Sequence, residues 1–342
     1  QQFNVGCDET IDLGLGRSKG LVLQKGAGRI YLDFLIKIYR EVKARGLTMQ
    51  FWGDILMNHP ELVPELPRDV VVLEWGYEAD HPFDQHGEIF AQSGIPFYVC
   101  PGTSSWNTIG GRTQNALDNL RNAAENGLKH GAIGYLITDW GDNGHWQPLP
   151  VSYLGFAYGA ALSWSLEANR ELDMLTILDL FAFQDKAHLA GSLALDLGRV
   201  HETLNMPLHN STVLFRLLQE PLEEIAKYKD KLTARTEELK QVIRRVEEIE
   251  AHLDDLKIQR SDASLLKREF AWICGMLKHA CLRGIWAAGK ITGEEDQELR
   301  QHLLKDADFL IKEHEKIWHA RNRPGGFKDS RARLEKMRKS YL

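Results

Sequence analysis

Few features of this chain mark a specialised environment. Its four cysteines, Cys7, Cys100, Cys274 and Cys281, lie at no metal-ligand spacing, and the first two sit in apolar strand-like runs, so all four are expected to be reduced. No stretch is long and apolar enough to span a bilayer, which removes a membrane from the expected partners. An excess of positive charge is also missing: the formal net charge is -6, the pI is near 6.1 and the basic residues are dispersed, so nucleic acid is not an expected partner either. His59, His81, His86, His130 and His145 fall at no ligand spacing, and neither a metal nor a cofactor is expected. His145, between Asp142 and Trp146, reads as a loop residue beside a binding site. No fixed-period repeat is present.

What remains is ordinary globular composition, 43% hydrophobic and 26% charged over 342 residues, enough for one large domain and a smaller one. From residue 1 to about 166, short apolar runs alternate with helical patterns, as parallel sheets with crossover helices require. The strand-like runs are Phe3 to Cys7, Thr48 to Trp52, Val70 to Trp75, Pro96 to Cys100 and Ile133 to Thr138. Between them, Ile30, Phe34, Ile38 and Val42 repeat at a spacing of four and read as one helical face; Leu117, Leu120, Ala124 and Leu128 read likewise. Tyr153 to Leu166 reads as an apolar last helix. Beyond residue 170 the strand signal stops. Residues 221 to 259 read as one long amphipathic helix carrying Leu239, Val242, Val246, Ile249, Leu253 and Leu256, paired with Ala263 to Ala288 and suited to a homodimer interface. Helical stretches Glu294 to His319 and from Asp329 follow.

In such sheets chemistry gathers at the carboxyl ends of the strands. The first ends in Gly6-Cys7-Asp8-Glu9-Thr10, with Asp12 beyond; adjacent acids repel, which favours one of them holding a proton near neutrality. The second ends in Trp52-Gly53-Asp54, the third in Glu74-Trp75-Gly76-Tyr77, the fourth in Tyr98 to Asn107 with Trp106, and the fifth in Thr138-Asp139-Trp140-Gly141-Asp142-Asn143-Gly144-His145-Trp146. Of nine tryptophans, five lie in these four loops. Aromatic walls with carboxylates and amides describe a sugar pocket, because the CH face of a pyranose stacks on a ring while its hydroxyls take hydrogen bonds. Gly14 to Gly20 lacks the spacing of a phosphate loop and reads as a rim loop.

The string Phe3-Asn4-Val5-Gly6-Cys7-Asp8-Glu9, the tryptophan-bearing strand ends and Thr138-Asp139-Trp140-Gly141-Asp142 together resemble glycoside hydrolase family 20, the β-N-acetylhexosaminidases, and within it the hexosaminidase D type. The resemblance covers residues 1 to about 166 and implies strands four to eight of a (β/α)8 TIM barrel, so that residues 1–168 form the C-terminal portion of a catalytic barrel and residues 169–342 an α-helical region. It implies retaining, substrate-assisted removal of terminal β-linked GlcNAc or GalNAc through an oxazolinium intermediate, on terminal β-N-acetylhexosaminide glycans. Carried over by position, Glu9 is the general acid and base, Asp8 orients the acetamide and Tyr98 hydrogen-bonds its oxygen. Trp52, Trp75 and Trp140 line the pocket, and Asp142 binds remote hydroxyls. Cys100 stands where many members have an acid, leaving that contact to Trp106, Asn107 or Asn143; Trp146 completes the aromatic set. The resemblance also implies an N-terminal barrel segment, upstream or on another chain. The compartment is open, with the cytoplasm as the expectation. The competing expectation is a non-catalytic carbohydrate-binding protein that keeps the aromatic pocket.

Overall fold

The computed structural model describes residues 1–342 and divides into two compact units. The first comprises Gln1–Gly102, Asp118–Thr138 and Ala161–Arg170; the second comprises Thr103–Leu117, Asp139–Ala160 and Glu171–Leu342.

The first unit is a five-stranded, wholly parallel sheet: β1 (Gln2–Asn4), β2 (Thr48–Trp52), β3 (Val71–Trp75), β4 (Phe97–Cys100) and β5 (Gly134–Tyr135), hydrogen-bonded in sequence order. This consecutive order, each strand reached through a helical crossover, is that of a half-barrel. All five expected strands are present, and the first and last are shorter than the apolar runs that announce them. The pairing of Gln50 with Val71, Trp52 with Leu73 and Leu73 with Tyr98 fixes which side chains share a face. Phe51, Val70, Val72, Phe97 and Val99 face the helices and meet Tyr31, Leu32 and Leu35 of α1 (Ala27–Lys43) and Phe83 and Phe90 of α2 (Phe83–Ser93). Trp52, Val71, Leu73 and Cys100, with Trp75 and Tyr98 packed against them, occupy the opposite face. Such two-sided burial is why these strands read as continuous apolar runs.

The helical faces differ from the spacing-of-four rows. In α1 the buried residues are Gly28, Tyr31, Leu32, Leu35 and Val42, while Phe34 is 61% exposed. At about 100° per residue, a row taken every fourth position drifts about 40° per step and leaves the buried arc; a mixture of threes and fours stays on it. In α3 (Thr113–Lys129), Leu120, Ala123 and Ala124 are buried and Leu128 is 67% exposed for the same reason.

The second unit is helical. Its centre is α5 (Ala263–Thr292), which follows α4 (Thr236–Glu250) and precedes α6 (Gln297–Arg321) and α7 (Phe327–Lys339). Leu239, Val242, Val246 and Ile249 of α4 are buried within the chain, α4 packing on α5. The single helix expected over 221–259 is broken: short turns Leu222–Ile225, Ala226–Tyr228 and Lys229–Thr233 precede α4. Two non-helical residues cause the breaks: Tyr228 (φ -124) turns its hydroxyl to Glu220, and Arg235 (φ -116) donates from Nε to Leu204 O at 2.7 Å. Arg321 grips Glu269 and Asp262 at 2.7–2.8 Å, and His279, fully buried, bridges Asp306 and the Tyr341 hydroxyl. No helix is long and apolar enough to cross a membrane.

The corrected helical face is testable. Leu35→Ala should lower the stability of the first unit by about 2–5 kcal/mol, as cavity formation requires, and Phe34→Ala by well under about 1 kcal/mol. Urea unfolding of both variants decides it, and equal losses would restore the spacing-of-four face.

Candidate active site at the strand ends

The carboxyl end of β1 is where the backbone departs most from regular geometry. Beyond Asn4 the chain continues beside β2, Val5 N donating to Gln50 O at 2.9 Å and Trp52 N to Gly6 O at 3.0 Å. It then turns through three positive φ values, Gly6 (72°), Cys7 (72°) and Glu9 (46°). For Cys7 and Glu9 the left-handed region costs on the order of 1–2 kcal/mol each. Three contacts hold the turn: Asn4 Oδ1 accepts from Gly6 N at 2.8 Å, the buried Tyr31 donates its hydroxyl to Cys7 O at 2.8 Å, and Glu9 N donates to Asp54 Oδ2 at 3.0 Å. The Asp8 and Glu9 side chains are left exposed.

Asp54, just beyond β2 and without an expected role from the sequence, is the anchor. One carboxylate oxygen takes the Glu9 N–H, and the other accepts from Trp75 Nε1 at 3.3 Å. Burial raises its pKa above the ordinary aspartate value and the neighbouring Asp8 adds to the rise, against the lowering effect of the Glu9 and Trp75 donors. Trp75 also stacks on Tyr77, with ring centroids 5.0 Å apart. Tyr98, half-buried, lies over Gly134, where a Cβ would come within 2.4 Å of its ring, and donates its hydroxyl to Gln2 Oε1 at 3.2 Å. Asp8, Glu9, Asp54, Trp52, Trp75 and Tyr98 thus belong to the first unit. Burial raises the thiol pKa of Cys7 and, far more, of Cys100; all four cysteines are free.

Trp106, Asn107, Trp140, Asp142 and Trp146 belong to the second unit. There Asn107 Nδ2 approaches Asp142 Oδ2 at 3.4 Å, and Asn143 Nδ2 donates to Asn107 Oδ1 at 2.9 Å, so an amide-acid-amide row forms. Asp139 accepts from the hydroxyls of Thr103, Ser105 and Ser152 at 2.5–3.0 Å. Trp140 is 37% exposed. Trp106 and Trp146 are fully buried; Trp146 donates to Ser330 O at 3.3 Å and packs on Phe215, which gives it a core position. His145 sits against Trp318, and burial lowers its pKa.

A further cluster escaped the sequence reading. Glu74, 2% exposed, accepts through a single oxygen from His81 Nε2 at 2.9 Å and His86 Nδ1 at 2.6 Å. The separations in sequence, seven and five residues, match no ligand motif, because the loop between β3 and α2 rather than one element sets the approach.

Asp54 makes a linkage prediction. Its pKa is raised in the folded state, so the folded chain binds this proton more tightly than the unfolded chain; stability from this group is full below the unfolded value and is lost as pH rises through the folded value. Asp54→Asn should flatten that part of the stability-pH curve. Urea midpoints for both proteins, taken from acid to neutral pH, test this; curves that run parallel would mean that Asp54 does not carry the shift.

No family model matches the chain, and no curated protein matches it. A solved structure, described as a GH138 enzyme targeting pectin rhamnogalacturonan II, superposes with a TM-score of 0.46 at 12% identity, covering 81% of this chain and 40% of that one. The chain therefore spans less than half the length of that protein. Membership of glycoside hydrolase family 20 is corrected by these findings: the strand-end strings that suggested it draw no match to any family model or curated protein. Strings of five to seven residues at strand ends are too short to fix a family, because one fold hosts many unrelated functions.

Proposed function

We propose that the first unit carries the acid pair of a glycoside-cleaving site at the carboxyl ends of β1 to β3. One observation supports the reading above others: a single half-buried carboxylate, Asp54, ties the backbone of Glu9 and the indole of Trp75 together, so two exposed acids and an aromatic ring are held at adjacent strand ends. Glycoside cleavage needs that set. A proton must reach the leaving oxygen, an anion must support the developing oxocarbenium charge, and a flat apolar surface must hold the ring.

In this reading Glu9 donates the proton and later accepts one from water. Asp8 supplies the second acidic group, and Asp54 is a positioning residue that keeps the strained turn in place. The finer reading is a terminal β-linked N-acetylhexosamine as substrate: Asp8 would orient the acetamide whose oxygen attacks the anomeric carbon, with Tyr98 as hydrogen-bond partner to that oxygen and Trp52 and Trp75 as walls. Proton transfer of this kind contributes about 10²–10⁴-fold to rate.

The test is hydrolysis of aryl β-glycosides, the N-acetylhexosaminides first and the plain hexosides beside them. Glu9→Gln should lower kcat/KM on substrates with poor leaving groups by about 10²–10⁴-fold while Kd for product changes little. Asp8→Asn should be comparably damaging only on the N-acetylated substrates. Hydrolysis of both classes with equal loss in Asp8→Asn would keep the glycosidase and discard the acetamide role. Product binding without turnover of any aryl glycoside would leave a carbohydrate-binding protein.

A further inference from the structure

The Glu74 cluster lies on the helix side of the sheet, away from the acid pair. Side chains alternate along β3, so Val72 and Glu74 point toward the helices while Leu73 and Trp75 point to the opposite face. Glu74 is buried to 2% exposure, yet both histidines that reach it keep one edge open to solvent, with side-chain exposures of 19% and 24%. All three offer one ligand atom, and these atoms lie within 4.8 Å of one another. From this arrangement we infer that Glu74, His81 and His86 form a binding site for a divalent transition-metal ion of the zinc class.

The geometry is close to what such an ion needs. Tetrahedral zinc with bonds of about 2.0–2.1 Å sets its ligand atoms about 3.3 Å apart. Here the two nitrogens stand 2.9 and 2.6 Å from the same carboxylate oxygen, each donating a hydrogen bond to it. Moving from one state to the other takes about half an ångström of separation, within reach of a rotation of the Glu74 carboxylate, whose terminal torsion is broad. On binding, each neutral imidazole presents its lone pair to the ion and carries its proton on the other ring nitrogen, and an imidazolium releases one proton. Two imidazoles and a carboxylate are borderline donors that suit zinc and its first-row neighbours better than calcium or magnesium. Three protein ligands leave a fourth position, on the solvent side of the histidines, for water.

The supporting residues are fixed before any ion arrives. Gly76 is required under His81, since a Cβ there would lie 2.1 Å from the ring. The loop that carries His81 is pinned from α3: Asn119 Nδ2 donates to Gly76 O and Glu78 O at 2.9 and 2.8 Å, and Asn122 Nδ2 donates to Ala79 O and His81 O at 3.0 and 2.8 Å. His81 also packs edge-on against Phe83 at the start of α2, ring centroids 4.5 Å apart. His86, one turn into α2, completes the set. An ion here would fasten the β3 end, the following loop and the first turn of α2 to one another.

The experiment uses the whole chain, freed of metal by a chelator and titrated with zinc and with cobalt(II). One ion per chain should bind, raise the thermal midpoint and, for cobalt, give the strong visible bands of a four-coordinate site. Glu74→Gln and His86→Gln should each weaken zinc binding on the order of 100-fold or more, since even outer residues of such sites cost 10–100-fold. His59→Gln, outside the cluster, should bind as the parent does. His86 is partly exposed, so His86→Gln keeps the test valid where Glu74→Gln unfolds, with circular dichroism confirming the fold. Absence of stoichiometric binding, or binding undiminished in a folded His86→Gln, overturns the site and leaves a hydrogen-bonded fastening of helix to sheet. Neither readout involves glycoside turnover, so the two proposals fail separately.

Discussion

Side-chain alternation along a parallel strand is the constraint on which both sites rest. Val71 to Trp75 is buried on each face, so successive residues must go to opposite sides, and the register with β2 and β4 leaves no freedom in the choice. Trp75 accordingly joins Trp52 and Tyr98 on the face where the strand ends meet Asp54, while Glu74 is sent among the helices. A carboxylate in that position cannot stand alone, because desolvation of the charge would cost several kcal/mol. Burial pushes its pKa up, and the hydrogen bonds from His81 and His86 reverse the balance and leave it below the ordinary glutamate value. One dipeptide therefore accounts for an aromatic ring on one side and a polar cluster on the other.

The β1 end follows a related logic of constraint against cost. Two non-glycine residues in the left-handed region are tolerated only where their surroundings over-determine them, and here the determinants are few and specific: the Tyr31 hydroxyl on Cys7 O and the Asp54 carboxylate on Glu9 N. The Tyr31 hydroxyl is buried, which raises its pKa strongly and keeps it a donor throughout the accessible range. The outcome is that Asp8 and Glu9 project from a turn whose backbone is fixed from below, as the proposed proton transfer would require.

Strands and their order were legible because burial on both faces writes itself as apolar runs, and the four strands from Thr48 to Tyr135 fall within or at the runs read from the sequence. The strand ends were legible as places. Their connections were not. That Asp54 would serve Glu9 rather than sit in solvent depends on a turn made from three positive φ values, for which Gly6 alone is a sequence signal. That His81 and His86 would converge depends on Asn119 and Asn122, two helical amides some forty residues downstream whose targets are backbone carbonyls and leave no pattern. Helical faces were less legible: the row Ile30, Phe34, Ile38, Val42 follows one spacing, whereas the buried arc uses two. The helix over 221–259 failed because Tyr228 and Arg235 find tertiary partners that outweigh local helical preference.

The expected sugar-binding residues divide between the two units. The acids, the anchor and the rings Trp52, Trp75 and Tyr98 share a unit, in which Asp54 joins Glu9 to Trp75 and Tyr98 reaches Gln2. The residues Asn107, Asp142 and Asn143 form their own row in the other unit, with Trp140 partly exposed. Their amide and carboxylate groups already satisfy one another at 2.9–3.4 Å, so a hydroxyl that entered would have to replace hydrogen bonds of similar strength and would gain little net free energy. The proposed proton transfer therefore rests on the strand ends of β1 to β3, and the Asn107 row adds little to the proposed recognition. Trp146, held in the helical core through Ser330 and Phe215, contributes to neither and stabilises the fold instead.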